Sequence, residues 1–348
     1  MFTYNEKENR LIARFVGLGG LDYETASRSR REGDSPYVEN VLLHFRKVEP
    51  GKVTASTEEF TLDEAIHYAF KYRGSTQYLI LLGDTKCWRK NSGNPVEKTP
   101  SPAFTTQTNH EWEGFTMLHS ASPVAVVSNG VDKPHYYDGG AGNFAVLSNA
   151  PVMKCIAPYL SRLFGGQAGG YLNRIEWSAE GDITTWSGDT WGQLDLPDEA
   201  DGIMRLGWLR GNFLLVVREE SVGVLNPTGD PEDPVAYQPR FSRGACSRNS
   251  FSRIENAYIY LGYEDVYICD GASLQNVGTP IRRELFSTAD ASKLQYAWSF
   301  VDKRDKDYYL VTTLDDGTQR AWIYNYEQGV WSQQDLTDYT FLARWYRD

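Results

Sequence analysis

The five histidines are the residues of this 348-residue chain whose chemistry is easiest to judge from spacing. His110 and His119 are nine residues apart, and His135 lies in a Lys-Pro-His-Tyr-Tyr-Asp segment. A zinc site usually shows a short motif such as His-Glu-x-x-His, and no such motif occurs here. We therefore interpret these histidines as surface or core residues and predict no metal site.

The four cysteines give an equally weak signal for metal binding or redox chemistry. They are separated by 68, 91 and 23 residues, and no Cys-x-x-Cys pair occurs. Cys269 alternates with Tyr267 in a predicted strand, so we interpret it as a small core side chain. The complete set is Cys87, Cys155, Cys246 and Cys269.

A glycine-rich run at residues 165–170 could in principle cradle a phosphate. It lacks the Lys-Ser/Thr pair of a P-loop, and the predicted strand Tyr171 to Trp177 follows it where a P-loop has a helix. We predict a hairpin loop, and with it no cofactor site.

The segment from Ser178 to Trp186 is similar to the Asp box of sialidases, Ser-x-Asp-x-Gly-x-Thr-Trp. Glu180 stands where the box has Asp, and Gly181 precedes Asp182 where the box has Gly after Asp. Even an intact box is a folding turn and supplies no catalytic group. A sialidase-like glycoside hydrolase is therefore the least favoured function, and we predict no catalytic residues.

Two further groups of side chains have both a structural and a functional interpretation. The aromatic residues Tyr136, Tyr137, Trp186 and Trp191 could stack on sugars, but such rings more often fill the space between packed sheets, and we favour the core. The basic cluster of Arg28, Arg30 and Arg31 is too short for an interaction tail, and we interpret it as a solvated loop.

Composition limits the partners of the chain. With 46 acidic and 35 basic residues the net charge is −11, which opposes general or sequence-specific binding of nucleic acid and predicts acidic channel walls. No apolar run approaches the roughly 18 residues of a membrane-spanning helix, and no cleavable signal is apparent. Aromatic residues make up 14% of the chain, which favours an all-β fold.

A pair of strands recurs along the chain. From Tyr78 to Tyr308 there are five steps over 230 residues, a mean period of 46, which matches four-stranded propeller blades. We predict a single β-propeller of six blades, mostly of four antiparallel strands. The six hairpins are Tyr78 to Leu82 with Lys86 to Arg89, Val124 to Val127 with His135 to Tyr137, Tyr159 to Phe164 with Leu172 to Trp177, Phe213 to Val217 with Val222 to Leu225, Tyr258 to Leu261 with Val266 to Cys269, and Tyr308 to Thr313 with Trp322 to Tyr326.

The predicted organisation is an irregular N-terminal lead-in at residues 1–55, docked on a propeller at residues 56–348. Leu62 to Lys71 fits a helix face or an alternating strand, and we favour the innermost strand of the first blade. The segment Thr340 to Tyr346 alternates like a strand, and we predict that it closes the ring by pairing into that blade.

Four motifs resemble the β-propeller tail proteins of tailed bacteriophages, the hub, nozzle and head-to-tail stabilisation proteins that lie below the portal. Each motif is short and turn-like, and together they span most of the chain. They are Gly33 to Val41, Asn173 to Trp186, Tyr260 to Gly271 with Gly278 and Pro280-Ile281, and Tyr324 to Ser332.

The resemblance implies a structural virion protein that acts by assembly and is not an enzyme. It implies a location in the phage tail after synthesis in the host cytoplasm, and partners among other tail or connector proteins, including copies of itself in a ring. We expect Leu21 to Glu39 and the acidic proline loop Asn226 to Pro234 to contact neighbouring subunits. The alternative is a carbohydrate- or receptor-binding propeller, such as a tail adhesin.

Overall fold

In the computed structural model, six four-stranded antiparallel sheets form a six-bladed β-propeller, which confirms the predicted fold class. The structure describes residues 62–106, 111–209 and 212–336, and the backbone of six short strands before residue 51. Each blade uses its four strands in chain order. The blades are Tyr68–Arg73, Gln77–Leu82, Cys87–Lys90 and Val96–Glu97 in blade 1; Glu113–His119, Ser122–Ser128, His135–Tyr137 and Ala145–Val146 in blade 2; Cys155–Tyr159, Arg162–Gly166, Arg174–Trp177 and Gly192–Asp195 in blade 3; Ile203–Leu209, Phe213–Arg218, Val222–Pro227 and Val235–Phe241 in blade 4; Ser252–Ile254, Ala257–Leu261, Val266–Cys269 and Leu274–Asn276 in blade 5; Trp298–Asp302, Asp307–Thr313, Gln319–Asn325 and Val330–Leu336 in blade 6.

The lead-in contains three pairs of short strands. Two pairs are antiparallel and the middle pair is parallel. The cluster of Arg28, Arg30 and Arg31 lies outside the described residues, as does the closing segment Thr340 to Tyr346. The pairs are Phe2–Asn5 with Arg10–Ala13, Gly20–Leu21 with Asp34–Ser35, and Val41–His44 with Lys47–Pro50.

The ambiguous segment Leu62 to Lys71 is a strand, as favoured, but the strand begins only at Tyr68. Glu64 explains the late start. Its carboxylate accepts hydrogen bonds from the backbone N–H groups of Thr85 (2.9 Å) and Lys86 (3.1 Å), which ties residues before the strand to the hairpin of the same blade.

The hydrophobic core lies between consecutive blades. Leu214, Leu215, Val216 and Val217 are all fully buried, because both faces of this strand contact a neighbouring sheet. A strand buried on both faces shows a continuous apolar run with no alternation, which is the pattern that the sequence displays in each hairpin. Burial thus explains why the repeat is visible in the sequence.

The third hairpin differs from its predicted boundaries. Tyr159 ends the inner strand of blade 3, and Leu160 and Ser161 form a turn with positive φ angles of 47° and 59°. The predicted single run Tyr159 to Phe164 therefore contains a chain reversal. Apolar residues at such a tight turn give little warning in a sequence.

Helix is scarce in the described part of the chain. It consists of the α-helix Arg282–Thr288 and two 3₁₀ turns, Ala168–Gly170 and Leu294–Tyr296. Among the described residues, no helix has the length and apolar character needed to cross a membrane.

Candidate functional site

The inner strands of the blades surround a central cavity of about 1190 Å³. Every blade begins with its inner strand, so all six strands run in the same direction along the cavity. We call the end where they begin the N-terminal rim, and the end where they finish the C-terminal rim.

The N-terminal rim is held by a buried ion pair between blades 2 and 4. Arg205 Nη1 lies 2.5 Å from Glu113 Oε1, and Arg205 Nε donates to the carbonyl of Arg248. Glu113 Oε2 accepts the backbone N–H of Ile156 at 2.8 Å. One carboxylate therefore joins blades 2, 3 and 4, and its contact with Arg205 extends to the chain entering blade 5.

A second buried guanidinium reinforces this rim. Arg248 Nη1 donates to the carbonyl of Lys154 at 2.6 Å, and Arg248 Nε lies 3.7 Å from a carboxylate oxygen of Glu111. With the Glu113–Arg205 pair, the rim thus contains two positive and two negative side chains. Its charge is balanced by contacts within the protein.

The proton affinity of Glu113 is altered by its position at this rim. Burial raises its pKa above the usual value, although Arg205 opposes the shift. A carboxyl with a raised pKa beside a cavity can exchange protons nearer neutral pH. Both of its oxygens already accept contacts from Arg205 and Ile156, however, so the observed geometry favours a clamp between blades.

Arg73, Arg253 and Lys303 lie at or just after the ends of the inner strands of blades 1, 5 and 6, toward the C-terminal rim. Partial loss of hydration lowers the pKa of Lys303, and the neighbouring charges of Arg253 and Arg73 lower it further. Within the described part of the chain, none of these three side chains forms an ion pair. The charged side chains that line the cavity among the described residues are Glu113, Arg162, Arg205 and Arg253, so the prediction of acidic channel walls is wrong. A net charge of −11 says nothing about where individual cations lie.

Apolar and aromatic side chains lie beside these cations. Trp208 is 38% exposed and Leu118 is 62% exposed, and both line the cavity. The guanidinium of Arg253 lies over the indole of Trp208, 4.7 Å from the ring centroid. Tyr258 donates to the carbonyl of Trp208 and stacks on Phe251 at 4.2 Å, which fixes this aromatic wall.

The histidines that the sequence singled out do not meet at one site. His135 is buried with its ring edge against Phe104, and burial lowers its pKa. His119 Nδ1 lies 3.5 Å from Asp182 Oδ1, and His110 is outside the described residues. Among residues 62–106, 111–209 and 212–336, no three His, Cys, Asp or Glu side chains are arranged to hold a metal ion.

The Asp-box-like segment is a folding turn, as predicted. Asp182 accepts hydrogen bonds from the backbone N–H of Thr184 and from the hydroxyl groups of Thr184 and Thr185. Trp186 donates its indole N–H to the carbonyl of Ile183 and is 8% exposed. The segment therefore stabilises the turn between the last two strands of blade 3.

The glycine run was predicted as a loop, but its first residues belong to a strand. Gly165 and Gly166 are the last residues of Arg162–Gly166. An added Cβ at Gly165 would lie 1.7 Å from the sulfur of Met153, so this glycine permits close packing inside blade 3. Gln167, Gly169 and Gly170 have the positive φ angles of a turn.

The predicted cysteine core residues are buried, and so are two of the four predicted aromatic core residues, whereas Tyr136 and Trp191 are partly exposed. Tyr137 and Trp186 are buried, and Cys87, Cys155, Cys246 and Cys269 are all buried free thiols. The aromatic residues that do line the cavity are others, chiefly Trp208, Trp298, Phe251 and Tyr258. Trp208 and Trp298 lie on inner strands, which are outside the predicted hairpins because those consist mainly of the second and third strands of each blade. Tyr258 belongs to the predicted hairpin of blade 5, but its position at the cavity could not be read from the sequence.

Comparisons with known proteins assign no particular activity to the chain. No family model matches the chain, and no curated protein matches it. Among solved structures, it is similar to virginiamycin B lyase from Staphylococcus aureus at 9% identity and a TM-score of 0.48, covering 78% of this chain and 85% of that one. It is also similar to puromycin hydrolase at 10% identity and a TM-score of 0.45, covering 84% of this chain and 49% of that one.

These comparisons correct the prediction that the protein is not an enzyme. Two of the similar propellers are named as a lyase and a hydrolase. A third, PorZ of the type-IX secretion system of Porphyromonas gingivalis, matches at 10% identity and a TM-score of 0.44, over 79% of this chain and 33% of that one. Similarity this low assigns no activity to the chain.

Proposed function

We propose that the protein is a structural component of a bacteriophage tail, a hub- or nozzle-type propeller that assembles with copies of itself and with neighbouring tail proteins below the portal. The observation that carries this proposal is the resemblance of four motifs, combined with the six-bladed fold. Three of the motifs lie in described residues and coincide with turns that end or connect strands of blades 3, 5 and 6.

The motif from Tyr324 to Ser332 illustrates this agreement. Its chain reverses at Gly329, where φ is 71°, and Trp331 follows in the outer strand of blade 6. Trp331 is 1% exposed, and its indole N–H donates to the carbonyl of Val277, just after blade 5, at 2.6 Å. The motif thus fastens two blades, which is the role that the resemblance implies for its tryptophan.

The acidic proline loop supports assembly as the mode of action. Thr228 donates its backbone N–H to the carbonyl of Pro234, and Asp230 accepts the N–H of Glu232. Arg162 donates to the carbonyl of Pro231, which fixes the loop to blade 3. The loop is therefore preordered and still exposes its acidic side chains, and a preordered surface loses less entropy on binding a neighbour.

Mass spectrometry and immunogold labelling of purified particles of the encoding phage test this proposal. We expect the chain at a fixed stoichiometry in tails, and particles made without it should lack infectivity. Absence of the chain from purified particles, or complete and infectious particles without it, would contradict the proposal.

A further inference from the structure

Large apolar side chains are exposed inside the central cavity. Leu118 and Trp208 lie near the ends of the inner strands of blades 2 and 4, and both are exposed and line the cavity. Leu160, in the turn after the inner strand of blade 3, lines the same cavity. Apolar surface is unfavourable in water, and an exposed apolar surface in a concave site is typical of a ligand pocket. This part of the wall therefore suits a ligand with an apolar body.

The hydroxyl groups of the lining already hold neighbouring blades together. The hydroxyl oxygens of Ser252 and Ser299 lie 2.8 Å apart, in a hydrogen bond that joins the inner strands of blades 5 and 6. Thr116 in blade 2 donates its hydroxyl to the carbonyl of Lys71 in blade 1, at 3.3 Å. Because these groups have partners within the protein, the lining does not favour a strongly polar ligand.

Most of the charge in the lining is also compensated within the protein. Of the four charged side chains that line the cavity in the described part of the chain, Glu113 and Arg205 form the buried pair described above. Each of the three nitrogens of the Arg162 guanidinium donates to a backbone carbonyl. Its Nη2 also lies 3.2 Å from Glu180 Oε2. These three side chains therefore contribute no unused charge to a ligand.

Arg253 is the fourth of these side chains, and its terminal nitrogens are available. Its Nε donates to the carbonyl of Glu255 at 3.3 Å, whereas Nη1 and Nη2 form no hydrogen bond or ion pair with the residues that the structure describes. The guanidinium is held over the indole of Trp208 by the cation–π contact. A guanidinium with unused N–H groups can bind a carboxylate through two parallel hydrogen bonds.

The size of the cavity and its single available cation restrict the ligand further. A volume of about 1190 Å³ is at the upper end for ligand pockets, which run from roughly 300 to 1,000 Å³, so a ligand with several rings fits. One guanidinium compensates one acidic group, and additional charges on the ligand would be costly beside the apolar wall. A flat aromatic ring also packs favourably against an exposed indole.

We propose that the central cavity binds an aromatic monocarboxylate. Its carboxylate accepts hydrogen bonds from Nη1 and Nη2 of Arg253, and its ring system packs against the exposed part of the Trp208 indole. This binding site goes beyond the assembly role proposed above and does not depend on it.

Calorimetric titration of the full-length protein with three matched probes tests the proposal. The first probe, 2-naphthoate, has a flat ring system and one carboxylate. The second, 2-naphthamide, has the same rings without the charge, and the third, decahydronaphthalene-2-carboxylate, has the charge on a saturated, non-planar skeleton. We expect saturable binding of 2-naphthoate, at least tenfold tighter than the binding of either of the other two.

Variants at the two proposed contacts locate the site. Arg253→Gln should weaken the binding of 2-naphthoate at least tenfold and leave that of 2-naphthamide unchanged, because it removes only the contact with the carboxylate. Trp208→Leu should weaken the binding of both, because it removes the contact with the rings. Thermal melts of each variant show whether it is folded.

Arg174→Gln is the matched control. Arg174 also lies over an aromatic ring, that of Tyr171 at 3.8 Å, but it does not line the cavity, so this variant should bind 2-naphthoate like the unmodified protein. The proposal would be overturned by no binding of 2-naphthoate at millimolar concentration, or by equally tight binding of the amide or of the saturated acid. Equal weakening by Arg174→Gln, or unchanged binding in folded Arg253→Gln or Trp208→Leu, would overturn it as well.

Discussion

At the scale of single residues, the buried ion pair between Glu113 and Arg205 is the main charged contact in the described part of the cavity. Both side chains are largely buried, at 13% and 8% exposure, so each depends on the other for charge compensation. Replacing one partner of such a pair leaves an uncompensated buried charge. The resulting loss of stability is larger than the net stabilisation that the intact pair provides.

Glu113→Gln should therefore lower the free energy of unfolding by about 3 kcal/mol, because Arg205 stays charged in the interior. Urea denaturation measures the change. The control is Asp195→Asn, whose partner Arg174 lies at the surface, and we expect a loss below about 1 kcal/mol there. Equal losses in the two variants would show that burial does not strengthen the pair.

At the scale of elements, the blades depend on side chains that allow sheets to approach closely. Gly165 in the second strand of blade 3 packs directly against Met153, which is completely buried. Close packing therefore requires glycine at this position, and the backbone conformation does not, since its φ angle is not positive.

Gly165→Ala should destabilise the protein by about 1–3 kcal/mol, because the new methyl group would overlap Met153. Gly142→Ala is a suitable control, since no atom lies within 4 Å of an added Cβ there and its φ angle is not positive. Thermal melting of both variants measures the difference. A Gly165→Ala variant as stable as the control would mean that Met153 repacks without strain.

The acidic proline loop allows assembly to be separated from folding. Neutralising it with Asp230→Asn, Glu232→Gln and Asp233→Asn should leave the free energy of unfolding within about 0.5 kcal/mol, because the loop is exposed and its backbone bonds remain. Under the proposed tail function, incorporation into particles should fall. The control is Asp315→Asn with Asp316→Asn in an exposed turn of blade 6, and equal incorporation of both variants would exclude the proline loop as a contact surface.

At the scale of the whole molecule, the buried thiols report how the ring unfolds. Burial raises the pKa of Cys155 and Cys246 to about 12 and that of Cys269 to about 11, and it also raises the pKa of Cys87. A buried, protonated thiol reacts slowly with a disulfide reagent.

At pH 8 in native buffer, we expect all four cysteines to resist Ellman's reagent. In urea they should react together, because cores shared between blades make the ring open cooperatively. Stopped-flow labelling with mass spectrometry measures the rate for each cysteine. A cysteine that reacts in native buffer at the rate of a free thiol would show local opening of its blade.

The same pKa shifts predict how stability depends on pH. In the unfolded chain a thiol loses its proton near pH 9, whereas folded Cys155 keeps its proton until about pH 12. Its contribution to stability is therefore complete below pH 9 and is lost as the pH rises from 9 to 12. Cys155→Ala should reduce this slope in urea titrations at a series of pH values, and an unchanged slope would contradict the assignment.

Sequence by itself determined the repeated part of the fold. Apolar runs followed by turn residues are local features of the chain, and strands that are buried on both faces make these runs continuous. The period of 46 residues and the six hairpins can therefore be recognised from the sequence alone. The same holds for the turn around Asp182, whose hydrogen bonds reach only two or three residues along the chain.

Only the tertiary structure decided the contents of the cavity. Glu113 meets Arg205 from another blade, and Arg253 of blade 5 lies over the indole of Trp208 in blade 4. Such encounters depend on the radial arrangement of the blades, which no local pattern or sum of charges records. Composition therefore predicted an acidic protein correctly and acidic channel walls wrongly, because closing the ring brings Arg162, Arg205 and Arg253 from blades 3, 4 and 5 to the cavity lining.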